Sequence, residues 1–314
     1  MFSPFLCESS FTFNNNKLGG KAQRFRQRNT SSINKIVSRK GVLRKRADCI
    51  GTVQFKGFGF PNKHFELQND FSVAILGLSK FFREDAVVTV QTMQIGNRPC
   101  RIYGEAHAEY LLLQMTGEHE QQSMDNEVDA IAQSGRNFLF AAVPVSNWND
   151  ALSPWEAPAV RGTQGFGGKA AATLCFLTEQ VIPTLKQQFR LPENVKIILG
   201  GYSLAGLFAL WASTRTDLFY GVAAASPSVW FPGWMEFEQQ HPIQTQHIYL
   251  SLGDKEEHTK NAVMAAVGDN IRTLHSQLAT RGAACTLEWN SGGHFKDADL
   301  RTAKAFQWAM EESR

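Results

Sequence analysis

Three residue types that together perform nucleophilic chemistry stand at the ends of three apolar runs in this chain. The first run, Ile197-Ile198-Leu199, ends in Gly200-Gly201-Tyr202-Ser203-Leu204-Ala205 and passes directly into a second apolar stretch reaching Leu210. That pattern reads as a buried strand, a very tight turn and a helix, with one serine lifted out at the apex. Strand and helix nearly touch at such a turn, so only small residues fit two positions to either side of the serine. Gly201 and Ala205 hold those positions, Ala205 standing where glycine is more usual. The helix amino terminus beneath Ser203 also offers a positive dipole end and free N–H groups to a developing oxyanion. An incidental glycine-rich turn can carry the same pattern, and partners further along the chain distinguish the two.

A serine hydroxyl attacks poorly at neutral pH unless a base takes its proton. Imidazole has the unperturbed pKa suited to act first as base and then as acid. A carboxylate on the far ring nitrogen fixes the tautomer and stabilises the imidazolium. Both partners follow in order, each after a strand-like run. His247-Ile248-Tyr249-Leu250-Ser251-Leu252 leads into Gly253-Asp254-Lys255-Glu256-Glu257-His258, and Cys285 to Asn290 alternates like a strand before Ser291-Gly292-Gly293-His294-Phe295. An amphipathic helical period fills the interval from about Lys260 to Ala279. The two glycines before His294 permit a sharp loop that swings the ring toward Ser203. Asp254, Glu256 and Glu257 share one loop, where solvated surface charge is the default for at least two of them. Glu256 is the first choice of acid and Asp254 the second.

These pieces resemble the esterase family of the α/β-hydrolase superfamily, which includes siderophore esterases, feruloyl and other carbohydrate esterases, S-formylglutathione hydrolase and mycolyltransferases. The segments that carry the resemblance are residues 200–210, Ala224-Ala225-Ser226-Pro227-Ser228-Val229-Trp230, Gly253 to Glu256 and Gly292 to His294. Upstream, Gly167-Gly168 opens a long helix that includes Val181-Ile182-Pro183-Thr184-Leu185. The resemblance spans roughly residues 94 to 312. It implies an α/β-hydrolase fold with Ser203 as nucleophile, His294 as base and Glu256 as acid, although some relatives manage with a serine–histidine pair. One segment departs from the family: Met115-Thr116-Gly117-Glu118-His119 stands where relatives often carry a His-Gly loop that donates the second oxyanion N–H. Leu204 would supply one such N–H, and Thr116 or Gly117 the other.

The elements that must position these residues follow from the same runs. Strands are expected near 99–103, 109–115, 137–143, 195–200, 220–225, 247–252 and 285–290, and helices near 121–134, 168–188, 204–214, 260–280 and 298–311. Such alternation signals one α/β domain, a mostly parallel sheet with helices on both faces, its first strands antiparallel at one edge. Residues 147–158 are too polar and proline-rich for regular structure and follow a strand, where loops carry function. Trp148, Asp150 and Trp155 there, with Trp230 and Trp234 after the next strand, are candidates for the wall of an acyl pocket.

Charge divides the chain. Residues 1–92 carry 15 Lys and Arg against 6 Asp and Glu, whereas the remainder carries 17 against 23. The expected organisation is therefore a poorly structured basic extension over 1–92 and a hydrolase domain over 93–314, with Met93 as the natural start. A nucleic-acid or membrane tether is disfavoured, because the basic arm shows neither aromatic interleaving nor an amphipathic helix. No run of some 18 apolar residues is present to span a membrane. Five irregularly spaced cysteines suggest a reducing, cytoplasmic setting, with Cys175 and Cys285 as buried filler. Gly165-Phe166-Gly167-Gly168-Lys169 fails as a phosphate loop, since Thr163 replaces the first glycine and Ala170 the Ser or Thr. No cofactor or metal is expected, and the partner is a small-molecule ester. The sequence expectation is a serine esterase; an acyltransferase on the same site or a non-catalytic binding module are the alternatives.

Overall fold

The computed structural model describes residues 10–13, 51–54, 88–117 and 123–311. The chain divides into Met1–Ala86 and Val87–Arg314. In the first unit β1 (Ser10–Phe13) pairs antiparallel with β2 (Gly51–Gln54). The rest of the basic arm up to residue 87, with its expected lack of structure, lies outside the described residues.

In the second unit eight strands form one sheet: β3 (Val90–Ile95), β4 (Arg98–Gly104), β5 (Tyr110–Thr116), β6 (Phe138–Pro144), β9 (Lys196–Tyr202), β10 (Gly221–Ala225), β11 (His247–Gly253) and β12 (Ala284–Asn290). Their order is β12-β11-β10-β9-β5-β6-β4-β3. All pairings from β12 to β6 are parallel, and β4 and β3 add antiparallel at one edge. β7 (Glu156–Ala157) and β8 (Phe166–Gly167) pair apart from this sheet. The helices are α1 (Met124–Ala132), α2 (Trp148–Leu152), α3 (Ala170–Phe176), α4 (Ile182–Gln188), α5 (Leu204–Ala212), α6 (Trp234–Gln240), α7 (Ala262–Ala265), α8 (Val267–Thr280) and α9 (Ala298–Ala309).

β5, β10 and β11 are buried along their whole lengths, as strands covered on both faces must be. The two-residue period sorts their side chains between two cores. Leu111, Leu113 and Met115 join Leu207, Phe208 and Leu274 on one face, while Tyr110 and Leu112 join Val128, Ile131 and Phe306 on the other. Gly200 lets α9 approach the second face closely: a Cβ there would stand 2.6 Å from the Phe306 ring and 2.8 Å from Ala223.

Several elements depart from the sequence expectations. β3 starts at Val90, and Val90 to Thr92 pair with Tyr103 to Arg101 ahead of Met93. Segment 147–158 is not irregular throughout: the Asn147 side chain accepts the Asp150 N–H at 3.2 Å and caps α2, satisfying a donor that would otherwise be orphaned. The helix expected over 168–188 contains a π turn at Leu177–Val181 just before Pro183, which has no N–H to continue the regular ladder. α6 was not foreseen. Cys175 is exposed, so it is not core filler, whereas Cys285 is half-buried and packs against the core; among the described residues Cys100 is the fully buried thiol, its pKa pushed up to about 11 by burial, against the pull of Arg98.

Candidate active site

Ser203 lies between β9 and α5 at φ 58° and ψ −119°, a conformation that strains a residue with a Cβ by roughly 1–3 kcal/mol. Its surroundings hold it there. The Ser203 N–H donates to the Ala225 carbonyl at 3.1 Å, and its own carbonyl accepts from Leu207 and Ser228 N–H groups at 3.1 and 3.0 Å. Gly201 has no room for a side chain, since a Cβ would stand 2.6 Å from that of Ala205.

The loop after β12 brings His294 to this serine, with Nε2 3.0 Å from Ser203 Oγ. The other ring nitrogen, Nδ1, lies 2.6 Å from Glu256 Oε2. Glu256 occupies a short turn after β11 and is only 5% exposed. Its other oxygen, Oε1, accepts from the Gly253 N–H at 2.7 Å, the Ser226 hydroxyl at 2.8 Å and Arg301 at 3.3 Å. Burial of the charge is thereby matched by donors, the condition under which a carboxylate can remain inside a protein. Asp254 points elsewhere and accepts the Gly292 N–H at 2.7 Å. Glu257 pairs with Arg272, whose hydrogen bond holds its carboxyl below the usual range.

Four residues at this site were not singled out from sequence. Ser228 places its hydroxyl 3.3 Å from that of Ser203. Ser226 serves Glu256, as above. The Tyr202 hydroxyl donates to the His294 carbonyl at 2.6 Å and accepts from Arg301 at 3.1 Å. Burial raises the Tyr202 pKa, with Ser226 and Arg301 opposing, so the phenol keeps the proton it donates. The only sequence signals were adjacency to Ser203 for Tyr202 and membership of the Ser-Pro-Ser segment for the serines; Arg301 carried none.

Leu204 heads α5, whose first amides have no acceptor within the helix. Thr116 ends β5; because Gln114 is opposite Gly200, Thr116 is level with Tyr202, with buried Gly117 next. Glu118 and His119 lie outside the described residues. The aromatic candidates separate. Trp155 donates its indole N–H to the Pro232 carbonyl at 3.0 Å and packs on Phe231 and Phe237. Trp230 lies 6.3 Å from Phe166, centroid to centroid. Trp148 packs against the core from α2, and Trp234 is fully buried, so it faces no pocket. Asp150 pairs with Lys169 at 2.9 Å and, with Asn147, Glu156 and Phe166, lines an open concavity of about 610 Å3 whose lining does not include Ser203. Beside His294, Phe295 stands edge-on and 85% exposed. Among the described residues no cluster of three His, Cys, Asp or Glu could hold a metal, and no helix is long and apolar enough to cross a membrane.

A mostly parallel sheet with a strained serine between strand and helix, backed by histidine and carboxylate from later strand ends, defines an α/β-hydrolase. Residues 107–298 match the family described as "Putative esterase", and the chain belongs to that family of carboxylic ester hydrolases. Solved structures share the fold. An IroE-like serine hydrolase from Shewanella oneidensis aligns at 15% identity over 70% of this chain and 79% of its own, with a TM-score of 0.58. The BES protein from Bacillus cereus aligns at 14% over 80% and 100%, TM-score 0.53. The siderophore hydrolase EstB from Aspergillus nidulans aligns at 16% over 72% and 95%, TM-score 0.51. No match is found among curated protein sequences.

Proposed function

We propose that this protein is a serine esterase that hydrolyses small carboxylic esters through an acyl-enzyme on Ser203. The observation that carries the reading is the unbroken line from Glu256 through His294 to Ser203, with contacts of 2.6 and 3.0 Å. His294 Nε2 takes the Ser203 proton as Oγ attacks the ester carbonyl, and Glu256 holds the proton on Nδ1 and stabilises the imidazolium. The Leu204 N–H and one from Thr116 or Gly117 receive the oxyanion. The imidazolium then protonates the departing alcohol. Water, activated by the same histidine, releases the acid and restores Ser203.

The paired aromatic side chains Trp230 and Phe166, and exposed Phe295 beside His294, are the candidates for contacting an apolar or planar acyl group. Siderophores, which EstB is named for hydrolysing, are one class whose ester-linked members are to be tested. The deciding experiment measures hydrolysis of p-nitrophenyl esters from acetate to octanoate by the full chain and by Ser203→Ala, alongside fluorophosphonate labelling. Turnover and labelling lost together in Ser203→Ala support the reading. Turnover surviving the substitution, or folded wild-type protein that neither turns over nor labels, refutes it.

A further inference from the structure

Arg301, on the first turn of α9, is 4% exposed and spends its guanidinium on three separate parts of the site. One nitrogen reaches both Glu256 Oε1 at 3.3 Å and the Tyr202 hydroxyl at 3.1 Å; another reaches the Ser291 carbonyl at 3.2 Å. Tyr202 in turn donates to the His294 carbonyl at 2.6 Å. The loop carrying the histidine is therefore held at both ends, at residue 291 directly by Arg301 and at residue 294 through Tyr202. A buried ion pair contributes little net stability against its desolvation, but a planar guanidinium can fix several acceptors at once, which a lysine ammonium on a flexible stem cannot do with the same geometry.

We propose, resting on the esterase reading above, that Arg301 is a positioning residue for ester hydrolysis, acting on Glu256 directly and on His294 through Tyr202. It occupies Glu256 Oε1, together with Ser226 and the Gly253 N–H, so that Oε2 is left to face His294. It also holds the 291–294 backbone so that the ring stays on Ser203. The groups facing Arg301 and Glu256 are few. Tyr202 comes from β9 and Ser226 from the end of β10. Tyr249 on β11 is bonded to Glu288 at 3.0 Å. Asp254 is committed to Gly292, Glu257 is turned to Arg272, and Lys296 packs beside Gly292. Among the described residues Arg301 is the Lys or Arg side chain ion-paired with Glu256.

The test measures kcat and KM against pH for the full chain and for Arg301→Lys, Arg301→Met and Tyr202→Phe, each normalised to the fraction that a fluorophosphonate labels. Arg301→Lys and Tyr202→Phe are expected to lower kcat about 10- to 100-fold, the scale of a small misplacement at a reacting centre, with KM little changed. Arg301→Met, which removes the guanidinium altogether, is expected to lower kcat at least as far as Arg301→Lys. The Arg301→Lys, Tyr202→Phe double variant should lose less than the product of the single losses, since both act along one path. A role confined to holding the fold would lower the labelled fraction and leave the normalised profile untouched, and that result overturns the proposal. Should Arg301→Met fail to fold, a Tyr202→Phe protein with wild-type normalised kcat overturns it equally. Turnover that survives Ser203→Ala in the same assay would strike down the hydrolytic reading and this proposal together; a wild-type normalised kcat in Arg301→Lys beside an inactive Ser203→Ala removes the positioning role alone.

Discussion

Glu256→Gln changes one atom, and the structure dictates how that atom must be placed. The Oε1 position receives the Gly253 N–H, the Ser226 hydroxyl and Arg301. An amide nitrogen there would face three donors, so the Gln carbonyl oxygen takes that position and its NH2 turns to His294. The amide can then only donate to Nδ1, which forces the ring proton onto Nε2, the nitrogen 3.0 Å from Ser203 Oγ. A protonated Nε2 cannot accept the serine proton. The geometry survives while the tautomer is inverted, a change that lowers kcat about 10⁴-fold where the same carboxylate-to-amide exchange disables a serine–histidine pair. That factor corresponds to about 5 kcal/mol of transition-state stabilisation. The assay is p-nitrophenyl ester hydrolysis, with urea unfolding to show that the variant is folded. Asp254→Asn is the control: it weakens only the contact to the Gly292 N–H and should lower kcat by less than about 10-fold, within the range of a loop adjustment. If Glu256→Gln retained activity within that same range while Asp254→Asn lost it, the assignment of the acid would be refuted.

Three further outcomes follow from packing and burial. Gly200→Ala drives a Cβ against Phe306 and Ala223; overpacking of this kind destabilises by about 1–3 kcal/mol, so an unchanged melting temperature would contradict the close approach of α9. A chain beginning at Met93 in place of Val87 loses the pairing of Val90, Gln91 and Thr92 with β4; at about 0.2–1 kcal/mol per cross-strand pair it should melt lower, and equal melting would show that this edge adds nothing. His247 is stacked on Trp308 at 4.5 Å, and burial lowers its pKa from 6.5. The unfolded state therefore takes up this proton first as pH falls, so stability present above pH 6.5 is lost on acidification below it. Urea midpoints at neutral and mildly acid pH should differ less in His247→Phe than in the wild type; equal differences would exclude His247 as a source.

Much of the sheet could be read from apolar runs because β5, β9, β10 and β11 are covered on both faces, which favours mostly apolar side chains along them. The serine turn was legible for a related reason: only Gly and small residues tolerate the contact between Gly201 and Ala205. Short elements were harder. α2 depends on a single side-chain cap from Asn147, and β7 and β8 pair across only two residues each, too few for periodicity to register. Within the acidic loop, Asp254 and Glu256 differ in their partners through direction alone, and direction is set by a short turn and by Arg301 on a helix that follows His294. Nothing in the chain's local chemistry marks Arg301, because its partners lie up to 99 positions away in sequence.

Because α9 follows every strand of the sheet, Arg301 leaves the ribosome after Ser203, Glu256 and His294. A nascent chain released only as far as Asp297 would already carry all three, yet neither the Tyr202 hydroxyl nor Glu256 Oε1 would have its guanidinium partner. Synthesis proceeds from the amino terminus, so reactivity toward acyl groups should arrive late and abruptly, with the docking of one helix. Chains arrested before α9 emerges are expected to resist fluorophosphonate, and those arrested beyond it to label. If Arg301 positions the site as proposed, the onset of activity during translation would follow from the place of one arginine in the chain.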